Sequence, residues 1–156
     1  MKSNVVNTRR FILAVVVAFV FVFVSNFLIH GMWMGPVYAA TMELWRSEAE
    51  MQARFPWMLA GQFLAAFTFV SLWTIGLGRC GCKGGAITYG VLMGLFSQAN
   101  TLITYVVSPL TPEIAIKWFV AGLAQGVLLG LITHAIYKPP VVARSLDVHP
   151  ISLADH

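Results

Sequence analysis

Hydrophobic residues dominate the chain, and the charged residues that interrupt them fall into clusters. The charge-free stretches lie between Arg10 and Glu43, Arg54 and Arg79, Lys83 and Glu113, and Lys117 and Lys138. Each stretch is at least as long as the roughly 20 apolar residues that one helix needs to cross about 30 Å of hydrocarbon, and too short for two such helices. The pattern predicts four transmembrane helices, over residues 11–33, 57–77, 86–106 and 112–137.

Composition points to lipid as the main solvent of this chain. Hydrophobic residues make up 58% of it and charged residues 10%, whereas a soluble domain carries about 25% charged residues. We therefore predict an all-α fold, a four-helix transmembrane bundle formed by residues 1–137 as one membrane domain. Residues 138–156 are polar and unpatterned after two prolines, and they are expected to form a flexible cytoplasmic tail.

The distribution of basic residues sets the predicted topology. Seven lie at the N-terminus, in the second loop and in the tail, and three lie in the first and third loops. This is the positive-inside pattern of a multi-pass protein of the bacterial inner membrane with both termini in the cytoplasm. The bilayer accounts for the net charge of +4, so no nucleic-acid partner is expected. The first apolar run exceeds the about 7–15 residues of a signal peptide and is expected to remain as an anchor.

The loop between the first and second helices carries an amphipathic pattern. Tyr38, Met42, Trp45 and Ala49 stand at helical spacing. The pattern predicts an interfacial amphipathic helix that lies in the headgroup layer, with its tryptophan toward the lipid. A lid over the bundle is the functional alternative for the same segment.

Glycines recur at every fourth position in the last two helices. Small residues at this spacing allow two backbones to approach closely in lipid, where van der Waals contact replaces the hydrophobic drive. They predict a tight antiparallel pair of helices, with a homodimer or a larger membrane complex as the alternative use. The residues are Gly90, Gly94, Gly122, Gly126 and Gly130.

Neutral polar residues in the middle and outer half of the predicted helices form the candidate site. An amide that faces lipid leaves hydrogen bonds unmade at a cost of several kcal/mol, so each is expected to face the bundle interior. There they either hydrogen-bond to one another and hold the helices together or line a small ligand pocket, and both readings stay open. The candidates are Asn26, His30, Gln62, Gln98, Asn100, Thr101 and Gln125.

A Cu(I) site is a sharper alternative at the outer end of the first helix. His30, Met32 and Met34 offer an imidazole and two thioethers, which are ligands that suit this soft ion. On a regular helix only His30 and Met34 share a face, so Met32 joins them only if the helix unwinds at Gly31. Otherwise these methionines are flexible hydrophobes, and no cofactor is expected.

The cysteines offer little chemistry. Cys80 and Cys82 fall in the predicted cytoplasmic loop, where the reducing environment favours free thiols. Two sulfurs alone make an incomplete metal site.

The stretch after the first helix carries a family resemblance. Residues 33–38 read WMGPVY, and Trp45 follows in the loop. In this motif, and in its helix pattern over most of its length, the chain resembles families of small four-helix bacterial membrane proteins that have no assigned function. The resemblance implies the four-helix fold and nothing about activity.

Function is constrained mainly by what the sequence lacks. It contains no nucleotide-binding loop, nucleophile elbow or zinc-protease motif. We therefore expect a non-enzymatic accessory, scaffold or binding protein whose site is the outer-half polar cluster. A small-solute transporter or a Cu(I)-handling protein that uses the same cluster is the alternative.

Overall fold

The computed structural model describes residues 7–77 and 82–138, and every regular element in those two ranges is a helix. This confirms the predicted all-helical fold for the described residues. The elements are α1 (Thr8–Asn26) with a π-helical continuation (Phe27–Trp33), α2 (Gly35–Ala40), a 3₁₀ turn (Met42–Leu44), α3 (Glu48–Ala53), α4 (Phe55–Leu72) with a π-helical end (Trp73–Leu77), α5 (Lys83–Val107) and α6 (Pro112–Ile136).

Four helical stretches are long and apolar enough to cross a bilayer. They are Thr8–Trp33, Phe55–Ile75, Lys83–Val107 and Pro112–Ile136, and each lies within three residues of its predicted range at both ends. Their outward surfaces expose large apolar side chains, such as Phe96 with 79% of its area exposed. Contiguous exposed apolar surface on this scale is rare on soluble monomers.

The helices alternate in direction between two ends of the bundle. We name these ends after the predicted topology. The outer end carries residues 34–54 and the turn at residues 108–111, and the inner end carries the start of α1, the start of α5 and the end of α6. At the outer end, Thr111 caps α6 by accepting a hydrogen bond from the backbone N–H of Ile114, and Pro112 occupies the first turn.

Glycines bring α5 and α6 into backbone contact along their length. A Cβ added at Gly126 would lie 2.7 Å from the carbonyl oxygen of Gly90, and one at Gly130 would lie 2.5 Å from that of Ala86. Glycine is needed here because the neighbouring atoms are backbone and cannot move aside. This part of the stripe therefore serves packing within one chain and is not exposed to a second copy.

The other helices pack less evenly. Helix α1 packs against α4 and α6, whereas α4 and α5 are not packed along their lengths. The inner half holds the main apolar core, to which Ala18, Phe69, Trp73 and Tyr89 belong. There the hydroxyl of Tyr89 donates to the carbonyl oxygen of Phe69 at 2.5 Å and joins α5 to α4. This hydrogen bond and the core side chains hold the inner half of the bundle together.

The segment between α1 and α4 contains three short helical pieces. Backbone turns at Thr41 (φ −129°, ψ 36°) and the extended Trp45 (φ −110°, ψ 155°) separate them. Ser47 and Glu50 then form a reciprocal capping box that starts α3. The continuous interfacial helix predicted here is therefore not confirmed, because the turns at Thr41 and Trp45 divide its proposed face between separate pieces.

The predicted free thiol at Cys82 is wrong. Its side chain is disulfide-bonded, and its sulfur also accepts a hydrogen bond from the backbone N–H of Gly85 at 3.3 Å. Cys80 lies outside the described residues. The predicted tail also lies outside them, apart from Lys138.

Candidate functional site

A cavity of about 230 Å³ lies in the outer half of the bundle, where α1, α5 and α6 meet. We call it the polar cavity. Among the residues that the structure describes, no Asp, Glu, Lys or Arg lines it. Most of its wall comes from predicted polar residues, namely Asn26, His30, Gln98, Thr101 and Gln125, and the rest from Ile29, Trp118, Ala121 and Gly122.

Two predicted residues lie elsewhere. Gln62 lines a neighbouring cavity of about 520 Å³ between α1 and α4, which Asn26 and His30 also border. The Oε1 atom of Gln62 is buried there without a hydrogen-bond partner among the described residues. Asn100 is exposed and lines none of the described cavities. The expectation that it faces the interior is wrong, because Asn100 stands about 200° around α5 from Gln98 at 3.6 residues per turn.

The amide of Gln125 connects α6 to α1 across the floor of the polar cavity. Its Nε2 donates to Oγ of Ser25 at 2.6 Å and to Oδ1 of Asn26 at 3.0 Å. The hydroxyl of Ser25 in turn donates a hydrogen bond to the carbonyl oxygen of Phe21 at 2.6 Å. Sequence reasoning missed Ser25, since a helical serine usually bonds to its own helix and gives no sign of a distant partner.

The amide of Gln98 forms a second polar wall on α5. Its Oε1 accepts the hydroxyl proton of Thr101 at 2.7 Å, and only 8% of the residue is exposed. Its Nε2 occupies the space that a Cβ at Gly122 would need. Within the described part of the chain this Nε2 has no hydrogen-bond acceptor, although the atom borders the cavity. It is a donor available to a ligand.

An aromatic cluster covers the outer side of the polar cavity. Tyr38 is its centre: its hydroxyl lies 2.6 Å from Nδ1 of His30 and accepts the indole N–H of Trp118 at 2.7 Å. Trp45 packs edge-on against Tyr38 with ring centroids 5.0 Å apart and donates its own N–H to Oγ1 of Thr41. Residues from α1, α2 and α6 thus meet above the cavity. The sequence places these aromatics only at the interface and gives no indication that they meet.

The oxygen of Tyr38 takes part in two hydrogen bonds. Indole can only donate, so Trp118 uses one lone pair of the Tyr38 oxygen. The contact with Nδ1 of His30 is made by the phenolic proton in one imidazole tautomer and by an Nδ1–H in the other. Burial raises the pKa of Tyr38, and the hydrogen bond from Trp118 partly opposes that rise. Tyr38 therefore stays a neutral phenol at neutral pH.

The copper candidate stays a prediction, and the environments of its three residues differ. Met34 is fully buried, whereas Met32 is 64% exposed, so the two sulfurs lie in different environments. Nδ1 of His30 is already engaged by Tyr38. Among the described residues, no group of three or more His, Cys, Asp or Glu side chains could hold a metal ion.

The site belongs to the class of neutral polar cavities inside an apolar helical bundle. No family model, curated protein or solved structure matches the chain. The resemblance to small four-helix membrane families therefore stays a prediction, and the chemistry of the site rests on its geometry.

Proposed function

We propose that this chain is a multi-pass protein of the bacterial inner membrane, with both termini in the cytoplasm, that binds a small neutral ligand in the polar cavity without transforming it. The four long apolar helices and their exposed apolar surfaces support membrane insertion. The alternation of basic residues along the loops supports the orientation.

The observation that carries the proposal is an unfilled set of hydrogen-bonding groups around one cavity. Nε2 of Gln98 has no acceptor among the described residues, and Nε2 of His30 has no hydrogen-bond partner there either. Polar groups that only held helices together would spend their hydrogen bonds on one another, as Gln125 and Asn26 do. The Gln98 donor favours a ligand that supplies an acceptor, and Nε2 of His30 offers a second polar contact.

We infer a neutral ligand because, among the described residues, no Asp, Glu, Lys or Arg lines the cavity to balance a charge. An isolated ion moved from water into an apolar site must lose its hydration, and without a charged partner the cost is large. Amides, a hydroxyl and an imidazole can instead satisfy a carbonyl or hydroxyl on a neutral molecule.

Binding is favoured over transport by the packing of the inner half. The apolar core there includes Phe69, Trp73 and Tyr89. Trp73 further donates its indole N–H to the carbonyl oxygen of Tyr137 at 2.9 Å, which ties α6 to the end of α4. Catalysis is disfavoured, because the described residues that line the cavity include no carboxylate or thiol to act with the imidazole.

A matched series of probes tests this proposal. Benzamide, benzoate and benzylammonium share one ring and differ in charge. We expect benzamide to shift the tryptophan fluorescence and raise the Tm of the purified protein, while the two ions do not. Trp118→Phe should remove the fluorescence response, because Trp118 is the tryptophan that lines the cavity. Equal responses to all three probes, or an unchanged benzamide response in Gln98→Leu, would contradict the proposal.

A further inference from the structure

A third cavity continues from the polar cavity toward the side of the bundle. It has a volume of about 400 Å³ and lies where α4 and α5 separate. We call it the lateral cleft. Its walls include Leu64 and Thr68 of α4 and Met93 and Ser97 of α5, and its floor includes Gly122 and Gln125 of α6.

The lateral cleft opens sideways and is closed at its inner end. Leu64 is 63% exposed and Phe96 is 79% exposed at its rim. At the inner end, the hydrogen bond from Tyr89 to Phe69 and the contact between their rings, with centroids 4.7 Å apart, hold α4 and α5 together. In a bilayer, an apolar cleft with this shape faces hydrocarbon chains rather than water.

The two cavities meet at shared residues. Gly122 and Gln125 line both of them. The polar cavity alone is smaller than the about 300–1,000 Å³ typical of small-molecule sites, whereas the lateral cleft falls within that range. A ligand that fills both spaces needs a hydrogen-bonding head and an apolar tail.

The relative depth of the two cavities fits one orientation of such a ligand. On α5, Met93 and Ser97 of the cleft lie closer to the inner end than Gln98 and Thr101 of the polar cavity. On α6, the cleft extends to Leu129, about one helical turn of 5.4 Å beyond Gln125. A molecule with its head in the polar cavity therefore directs its tail from the outer leaflet toward the middle of the bilayer, as a membrane lipid does.

From this geometry we infer that the ligand is a neutral single-chain amphiphile that enters from the outer leaflet through the lateral cleft. The inference rests on the proposed function and names the chemical class of its ligand. Within the described ranges, no Asp, Glu, Lys or Arg lines either cavity, which disfavours a fatty acid or an anionic lipid head as the occupant. The cavity between α1 and α4 is disfavoured for the tail, because residues such as Trp57 and Phe27 place it at the outer end.

A photoactivatable monoacylglycerol, with a diazirine at the end of its acyl chain, tests the inference in nanodiscs of phosphatidylcholine. We expect labelling on the α4 and α5 walls of the cleft. A fatty acid with the same tail and diazirine should label them about tenfold less. Ser97→Trp should block the cleft, since Ser97 is exposed and lines the cleft but not the polar cavity. Leu92→Trp is the matched control, because Leu92 is 61% exposed on the same helix and lines no described cavity.

The outcomes separate this inference from the proposed function. Loss of labelling in Ser97→Trp, with benzamide binding retained within about twofold, supports a tail in the cleft. Equal labelling of the wild type and Ser97→Trp overturns the inference, as does labelling concentrated on Phe27 and Trp57. If the probe does not label the cleft while benzamide still binds, the inference fails and the proposed function stands. If benzamide also fails to bind, the proposed function fails as well.

Discussion

The amide nitrogen of Gln98 occupies the space in which residue 122 would carry a Cβ, and glycine at that position leaves the space open. At Gly90, Gly126 and Gly130 the glycine stripe brings backbone against backbone. Gly122 differs, because it accommodates a polar side chain at the wall of the cavity. One repeating sequence pattern thus serves both helix packing and the shape of the site.

Gly122→Ala should impair ligand binding more than it impairs folding. The new methyl group would displace the Gln98 amide, which belongs to a side chain and can rotate away. The free energy of unfolding should therefore fall by less than the about 1–3 kcal/mol that overpacking usually costs. The affinity for benzamide should fall. Gly61→Ala is the control, because nothing lies within 4 Å of a Cβ at Gly61. Equal benzamide affinity in Gly122→Ala and the wild type would show that the position of Gln98 does not matter for binding.

Gly126→Leu should destabilise the protein more than Leu128→Ala. A Cβ at Gly126 would meet the Gly90 carbonyl oxygen at 2.7 Å and the Cα of Gly94 at 2.9 Å, so the α5–α6 pair must separate. Leu128 is 50% exposed, and its truncation costs little packing. Thermal unfolding in detergent measures the difference. A lower Tm for Leu128→Ala than for Gly126→Leu would mean that the close α5–α6 contact does not stabilise the fold.

The sequence predicted the long helices because clustered charges and apolar length mark them directly. It did not predict the π-helical turns at Phe27–Trp33 and Trp73–Leu77. A π-helical turn is wider than an α-helical one and rotates the following side chains around the helix axis. It needs no change in composition, so no sequence pattern reveals it. The amphipathic spacing after α1 failed for a different reason. Local turns at Thr41 and Trp45 interrupted a periodicity that looked continuous.

The candidate site was predicted in part, through the rule that amides avoid lipid. That rule identified Asn26, Gln98 and Gln125, and it failed at Asn100, where helix phase places the side chain outside. It could not identify Trp118, whose hydrogen bond to Tyr38 joins residues 80 positions apart. Contacts of that range depend on how the helices pack, which residue spacing within one helix does not encode.

Topology can be measured with reporter fusions. Fusions after Gly84 and in the C-terminal tail should report a cytoplasmic location, and a fusion at Ser47 should report an external one, because basic residues concentrate on the cytoplasmic side. Alkaline phosphatase and green fluorescent protein serve as complementary reporters, since each is active on one side only. A cytoplasmic Ser47 would invert the proposed orientation and place the polar cavity in the inner leaflet.

The phenol of Tyr38 should titrate above its ordinary pKa, because its burial disfavours the phenolate. The stability that this shift contributes is fully present below the unfolded pKa of about 10 and is lost as the pH rises toward the folded value. Trp118→Phe should raise the pKa of Tyr38 further, since it removes a donor that stabilises the phenolate. Ultraviolet titration measures the change, and Tyr38→Phe identifies the signal. A lower pKa in Trp118→Phe would show that the indole acts mainly by excluding water.

Asn26 and Gln125 should be energetically coupled. Leucine at either position leaves the other amide without one partner in an apolar bundle, which costs more than removing both. In Asn26→Leu, Gln125 still donates to Ser25, so that variant should be the milder of the two. The double variant should lose less free energy of unfolding than the sum of the losses in the two single variants. The difference should be about 0.6 kcal/mol and at most about 1.7 kcal/mol, as for other hydrogen bonds between membrane helices. A double-mutant cycle of unfolding in detergent gives the coupling. Strictly additive losses would mean that the 3.0 Å contact contributes nothing to the join between α1 and α6.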